Sequence, residues 1–225
     1  MKAFVVDLDS RENQNILKPS ARHSNNQAHQ NEAAKKIHKL IKNAPYSNDD
    51  IVLNHIKIKE AFFSPFKPQL KSAQVFLSHS HADKNKALKV KNYLEEDLDA
   101  ECVFIDSLFW DYKDDVLNKL AEYDDTSKIE DTFTLILRES LEYMIKKCPY
   151  FVFLQSKNSV SLNQDLLGIT YSAWIYEELR IAHSISSESR LTIMVESFQV
   201  SHNISPFLEH LKTITLSELS QQINS

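Results

Sequence analysis

Apolar runs alternate with helical patterns along the C-terminal two-thirds of the chain. Each run is apolar on both faces: AQVFLS (73–78), CVFID (102–106), YFVFLQ (150–155), LTIMVE (191–196) and a shorter LKTITL near the C-terminus. Apolar strands separated by helical patterns are typical of a parallel sheet that is covered on both sides. The pattern therefore predicts an α/β fold with a flavodoxin-like, doubly wound sheet of about five parallel strands.

Helical periodicity predicts the elements between these strands. Apolar residues recur at helical spacing over 83–98, 132–147 and 172–184, and a terminal helix follows the last strand. The acidic and aromatic segment 107–131 is interpreted as a helix over 114–123, in preference to a loop that closes over an adenine or a partner surface.

The first 71 residues have a different character. Residues 11–50 are rich in Asn, Gln, Ser, His and Lys, with a helical pattern over Asn31 to Asn43. The apolar stretch from Ile51 to Phe63 fits either a strand or a helix, and the prolines of SPFKPQ after it favour a boundary near residue 71. We expect residues 1–71 to form a partly helical N-terminal extension that binds a partner protein, and residues 72–225 to form the α/β domain.

Composition and charge limit the classes of partner that we expect this chain to bind. The formal net charge of -5 gives no electrostatic reason to expect nucleic acid, and the Lys-rich stretch 84–91 is interpreted as a solvated helix face. The two cysteines, Cys102 and Cys148, lie in apolar runs, which favours free thiols in a reducing compartment. The opening MKAFVVDLDSRENQ fits neither a signal peptide nor a membrane span. We therefore expect a cytoplasmic protein with no membrane and no nucleic acid partner.

A single glycine, Gly168, limits the ways in which this chain can bind a nucleotide. Dinucleotide-binding turns and P-loops both need several glycines where the backbone approaches phosphate. Both motifs are absent from the sequence, so a bound nucleotide would be held by side chains, helix N-termini and ordinary backbone amides.

The segment HSHAD (79–83) is the first candidate for chemistry. Its spacing matches the HxHxD start of metallo-β-lactamase-type hydrolases, but that family continues with a histidine where this chain has Lys84, and its metal loop is glycine-rich. The alternative is a polar loop in which Ser78, Ser80 and Asp83 cap a helix and leave backbone N–H groups open to an anion. We favour the second interpretation and expect no bound metal.

A later segment changes the interpretation of that loop. FLSHSHADK at the first strand of the 72–225 region, followed by S-x-W-x-x-x-E-L over Ser172 to Leu179, resembles the TIR (Toll/interleukin-1 receptor) domain, above all bacterial members whose first loop reads SHS-x-x-D-K. The FID of the second strand and the run LRESLEYMIKKCPYFVFLQSKNS add to the resemblance, which covers about residues 73–220. Some TIR domains are assembly scaffolds, and others are enzymes that cleave NAD at the nicotinamide–ribose bond.

The resemblance implies an NAD glycohydrolase or ADP-ribose cyclase that takes NAD as its substrate and needs no cofactor. Enzymatic members use the glutamate four residues after the tryptophan, which is Glu178 here. The spacing places Trp174 and Glu178 on one helix face. Ser78, Ser80 and Asp83 are then contacts to the nucleotide or ribose together with Trp174, although Asp83 as a helix cap and Trp174 as a core residue are equally open.

The resemblance also implies self-association through the TIR domain, and bacterial members often act in anti-phage defence. A non-catalytic TIR interaction module is the alternative function. Glu177, next to the candidate carboxylate, is assigned to the solvated face of the helix.

Overall fold

A computed structural model describes residues 1–17, 27–43, 46–47, 50–51, 54–63, 71–98, 102–105, 107–122, 125–162, 168–186 and 201–224. Its contacts divide the chain into two compact units. The first comprises Met1–Ala21, Ser72–Asp106 and Leu141–Ser225, and the second comprises Arg22–Lys71 and Ser107–Ser140.

The helices and strands follow one another along the chain in an order close to the predicted one. In chain order they are β1 (Lys2–Asp7), α1 (Arg11–Ile16), α2 (Gln27–Lys42), β2 (Tyr46–Ser47), β3 (Asp50–Ile51), α3 (His55–Phe63), β4 (Val75–Ser78), a 3-10 turn (His81–Asp83), α4 (Lys84–Leu98), β5 (Val103–Ile105), α5 (Ser107–Leu120), α6 (Ser127–Lys147), β6 (Tyr150–Gln155), β7 (Ser161–Leu162), β8 (Gly168–Thr170), α7 (Ala173–Ser186), β9 (His202–Asn203), α8 (Ser205–Leu208), β10 (Lys212–Thr213) and α9 (Leu216–Asn224).

The main sheet lies in the first unit and confirms the predicted fold class. Its five strands run in the order β10-β1-β6-β4-β5, and every pair is parallel. When β4 is counted as the first strand, the order β5-β4-β6-β1-β10 follows the flavodoxin order 2-1-3-4-5. The fourth place is held by β1, which comes earliest in the chain. The predicted strand LTIMVE at 191–196 lies outside the described residues.

The position of β1 differs from the predicted division of the chain at residue 71. Its six residues pair with β6 from Lys2↔Tyr150 to Asp7↔Gln155, and Phe4 pairs with Lys212 of β10 on the other side. A parallel pair imposes no limit on sequence separation, because its strands are joined by a crossover rather than by a tight turn. The first residues therefore belong to the sheet of the α/β unit, and not to an extension.

Burial explains why these short apolar runs form central strands. Val6, Val75 and Val152 have no exposed surface, and the rings of Phe76 and Phe151 stack at 5.8 Å between centroids. Strands covered on both faces lose water contact from both rows of side chains, which stabilises a parallel sheet.

The predicted helices occur within a few residues of their expected bounds. The patterns over 83–98, 132–147 and 172–184 correspond to α4, α6 and α7. The start of α6 is five residues earlier than predicted because Asp125 accepts a hydrogen bond from the Ser127 N–H at 3.0 Å, and Ile129 in the added turn is buried. The acidic segment after β5 contains α5, which starts seven residues before the predicted helix over 114–123. The structure does not describe the side chains of residues 108–112.

A small antiparallel sheet, β7-β8-β9, holds the only glycine of the chain. The Gly168 N–H donates to Ser205 Oγ at 2.7 Å, and its carbonyl accepts from the Ile204 N–H at 2.9 Å. A methyl group at this position would lie at ordinary contact distance, 3.4 to 3.5 Å, from three neighbouring side chains. The glycine is thus part of a strand ladder and not of a phosphate-binding turn.

The second unit is helical, with the hairpin β2-β3 as its described strands. The stretch 51–63, left open between strand and helix, contains the end of β3 and the helix α3. Phe62 packs on Phe133 of α6 at 5.2 Å between ring centroids, and Glu139 of α6 pairs with Lys59 at 3.1 Å. This aromatic contact and ion pair hold α3 against α6.

Within the described ranges, none of the helices combines the length and the apolar character that a membrane crossing requires.

Candidate functional site

The loops after β4 and β6 meet at the carboxyl edge of the main sheet. Ser78 ends β4 and lies opposite Phe153 of β6, so the polar turn 79–83 starts beside the loop that follows Gln155. Ligands of open parallel sheets bind at this edge, where successive strands release their loops. The site therefore begins from two adjacent strand ends.

The helix α7 brings the motif S-x-W-x-x-x-E-L to the same unit. Ser172 caps its start, since the Ser172 hydroxyl accepts a hydrogen bond from the Ile175 N–H at 3.3 Å. Ile175 and Leu179 are buried, and Glu178 lies between them on the buried face with no exposed surface. Helical spacing thus turns the carboxylate inward, toward the sheet.

Ser78 and Glu178 are brought together. The Ser78 hydroxyl donates a hydrogen bond to Glu178 Oε2, and the Ser78 side chain is as fully buried as the carboxylate. A buried carboxylate is stable only when hydrogen bonds or charges replace its water, and the hydroxyl supplies one such bond. Two of the five predicted site residues therefore form one contact.

Glu177 and Trp174 flank this contact on the helix. Glu177 forms a bidentate ion pair with Arg180, at 2.7 and 2.8 Å, and this partner raises the pKa of the Arg180 guanidinium. The Glu177 side chain is 16% exposed, so it is more enclosed than the predicted solvated position, whereas Glu178 is fully buried. Trp174 is half-buried one turn before Glu178.

Asp83 is not brought to Glu178 by any described hydrogen bond. It is buried, and it accepts hydrogen bonds from the Ser156 hydroxyl and, at 2.9 Å, from the Asn158 amide. Lys86 Nζ lies 3.5 Å from its Oδ1. Asp83 thus ties the loop after β4 to the loop after β6, and its oxygens already have protein partners.

Asp9 extends this network to the end of β1. Its two carboxylate oxygens accept from Lys86 Nζ at 2.8 Å and from the Lys157 N–H at 3.0 Å. These hydrogen bonds lower the pKa of the Asp9 carboxyl, and the same pairing raises the pKa of Lys86. The loops of three adjacent parallel strands are therefore joined through charged side chains.

Ser80 precedes the 3-10 turn with an extended backbone, and its carbonyl accepts the Asp83 N–H at 2.8 Å. Its side chain makes no capping hydrogen bond to the turn, so the predicted helix-cap role belongs to the Ser80 backbone. The Ser80 side chain is half-buried.

The histidines of HSHAD point to different environments. His79 is buried, whereas His81 is exposed. Among the residues that the structure describes, no three His, Cys, Asp or Glu side chains are grouped as a metal site would require. The HxHxD spacing thus gives one buried and one exposed histidine, His79 and His81, at the start of the 3-10 turn.

The sequence did not single out Asp9, Lys86, Ser156 or Asn158. Ser156 and Asn158 follow β6, and the rule that ligands of open parallel sheets bind beyond the carboxyl ends of the strands points to that loop. Asp9 could be recognised only once β1 was known to pair with β6.

No protein-family model matches the chain, and comparisons with curated proteins and with solved structures also find no match. The likeness to TIR domains therefore rests on the sequence motifs, together with the fold class.

Proposed function

We propose that the chain is a TIR-type NAD glycohydrolase or ADP-ribose cyclase that cleaves the nicotinamide–ribose bond, with Glu178 as the catalytic carboxylate. The single observation that carries the proposal is the Ser78–Glu178 hydrogen bond. It joins the first serine of the first motif, FLSHSHADK, to the acidic residue of the second, S-x-W-x-x-x-E-L, across 100 residues of sequence.

The chemistry needs only one carboxylate. Cleavage of an N-glycosidic bond passes through an oxocarbenium-like state, which a nearby carboxylate stabilises electrostatically or captures covalently. Nicotinamide leaves NAD as a neutral molecule from a cationic linkage, so no general acid is required. Water then completes hydrolysis, whereas an acceptor atom within the same nucleotide completes cyclisation.

Burial sets a condition on this activity. Glu178 has no exposed surface, so a substrate reaches it only after covering groups move. Half-buried Trp174, one turn away on the same helix, is the group whose movement we expect to open the carboxylate to the ribose. Self-association, which the resemblance implies, would supply the free energy for that rearrangement.

The test is nicotinamide release from NAD by the full chain, before and after its self-association is induced. We expect Glu178→Gln to reduce turnover by at least about 100-fold. Glu177→Gln is the matched control, since it removes the neighbouring carboxylate and the Arg180 pair but leaves Glu178 in place. Equal losses in both variants would contradict the assignment of Glu178.

The full burial of Glu178 also favours the second candidate, a non-catalytic TIR interaction module. In that case the carboxylate serves the packing of α7 alone. Absence of turnover in demonstrably assembled protein, with intact self-association in the Glu178→Gln variant, would support the module and contradict the enzyme.

A further inference from the structure

The Ser78 hydroxyl is committed to a carboxylate on a different element of the fold. Ser78 and Glu178 both have no exposed surface, and the hydroxyl donates to Glu178 Oε2. Burial does not separate the two residues, but the one hydroxyl hydrogen of Ser78 is donated to the carboxylate and is not available to a substrate. The bond therefore favours a role toward Glu178 over the substrate contact that the resemblance implies.

Rigid elements fix both ends of this hydrogen bond. All four residues of β4 are buried, and the strand pairs with β5 on one side and with β6 on the other. On α7, Glu178 stands between the buried side chains of Ile175 and Leu179. A donor on a central strand thus holds an acceptor on a packed helix, which leaves the carboxylate little freedom to rotate.

From this geometry we infer that Ser78 is a positioning residue, which orients the Glu178 carboxylate for attack at the ribose and does not itself bind substrate. The inference rests on the proposed function. The hydroxyl donor favours the ionised form of the carboxylate over the neutral form, because its hydrogen bond is made to the charged group. It also selects one rotamer, and small displacements of a reacting group are costly to rate.

The chain contains a second hydroxyl–carboxylate pair that makes a matched control. Ser220 of α9 is buried like Ser78 and donates to the Asp97 carboxylate near the end of α4. This pair joins two helices of the first unit and has no part in the candidate site. Loss of either hydroxyl removes a hydrogen bond from a buried serine to a carboxylate, but only Ser78 is bonded to Glu178.

The experiment compares Ser78→Ala, Ser78→Thr and Ser220→Ala in the full chain, with kcat, KM for NAD and the melting temperature measured for each. We expect Ser78→Ala to lower kcat roughly 10- to 100-fold with KM nearly unchanged. Ser78→Thr, which retains the hydroxyl, should recover most of the rate. Ser220→Ala should lower the melting temperature and change kcat by no more than about twofold.

The pH profile supplies a readout that a structural role would not move. Without its hydroxyl donor, the ionised carboxylate is less favoured, so the acid limb of kcat should shift to higher pH in Ser78→Ala and stay in place in Ser220→Ala. If Ser78→Ala does not fold, Ser78→Cys, which keeps a similar volume with a weaker donor, should show the same separation of kcat from KM.

Different outcomes overturn different statements. A rise in KM alone in Ser78→Ala would make Ser78 a substrate contact, and a loss of kcat no greater than that of Ser220→Ala would make its role structural. A gain of activity would mean that the hydrogen bond holds Glu178 closed. Each contradicts this inference while the wild-type chain still cleaves NAD; a wild-type chain that releases no nicotinamide when assembled contradicts the proposed function and this role together.

Discussion

The side-chain oxygen of Asn13 accepts a hydrogen bond at 2.9 Å from the backbone N–H of Leu216, the first residue of α9. The Asn13 amide also donates to the Asp7 carbonyl at 2.8 Å, and the side chain is buried. One asparagine thus joins the end of β1 to the start of the C-terminal helix, 203 residues later.

Asn13→Ala should therefore destabilise the first unit. It leaves a buried N–H and a partly buried carbonyl without these partners, so we expect the free energy of unfolding to fall by about 1–3 kcal/mol. Chemical denaturation measures the change, with the exposed neighbour Gln14→Ala as control. A difference of less than a few tenths of a kcal/mol between the two variants would contradict the structural role of Asn13.

A fragment of residues 72–225 should fail to fold cooperatively. It lacks β1, which pairs with both β6 and β10, so the sheet would lose a central member and expose an unpaired edge. Circular dichroism and thermal melting of the fragment and of the full chain would measure this. A cooperative transition in the fragment would restore residues 1–71 to the status of a separable extension.

A single substitution gives a milder version of the same test. Val6 has no exposed surface and lies opposite Leu154 of β6, so Val6→Asp buries an unpaired carboxylate in the sheet. We expect a loss of several kcal/mol, or no folded protein. Lys2→Asp, at the exposed start of the same strand, should retain most of the stability.

Stability should fall with acidification through His183. The His183 ring lies 4.9 Å from that of His210 and 5.5 Å from Phe207, and its burial, together with His210, lowers the pKa of the imidazole from 6.5. The folded chain thus favours the neutral ring, whereas in the unfolded chain His183 takes up a proton around its ordinary pKa of 6.5. This contribution is complete above pH 6.5 and is lost as the pH falls below that value.

The measurement is the melting temperature at several pH values between about 7.5 and 5. His183→Phe keeps an aromatic ring against Phe207 but cannot take up a proton, so its melting temperature should fall less on acidification. His81→Gln changes an exposed histidine and should leave the wild-type slope. Equal slopes in all three proteins would show that His183 does not carry the effect.

Both thiols should react slowly in the folded chain. Burial raises the pKa of Cys148 to about 12 and also raises that of Cys102. At pH 8 only about one Cys148 in 10,000 is then a thiolate, the form that reacts with disulfide reagents. Labelling with a disulfide reagent should detect no rapidly reacting thiol in the native protein and two reacting thiols per chain in denaturant. Rapid reaction of one thiol in the native state would contradict the burial.

Continuous apolar runs made much of the sheet predictable. The runs at 73–78, 102–106 and 150–155 became β4, β5 and β6, because strands buried on both faces need apolar side chains in both rows. β1 carries a similar run, FVV, but its partners lie far along the chain. Local periodicity records which residues are buried and not which strands lie beside them.

The same limit applies to the candidate site. The motifs placed Ser78 at the end of a strand and Glu178 within a helix, and helical spacing linked Glu178 with Trp174. The hydrogen bond between Ser78 and Glu178 depends on how α7 packs, and the partners of Asp83 depend on the loop after β6. Side-chain pairing across the fold requires the register of the sheet, which the sequence pattern does not encode.

The place of β1 in the sheet has a consequence for biosynthesis. Within this chain β1 is synthesised well before its partners β6 and β10, which begin at residues 150 and 212. At roughly 5–20 residues per second, this apolar strand waits about 7 to 30 s before the first partner exists. A nascent chain of this design must keep β1 from pairing elsewhere, so it should depend on chaperones more than a chain whose sheet assembles in the order of synthesis.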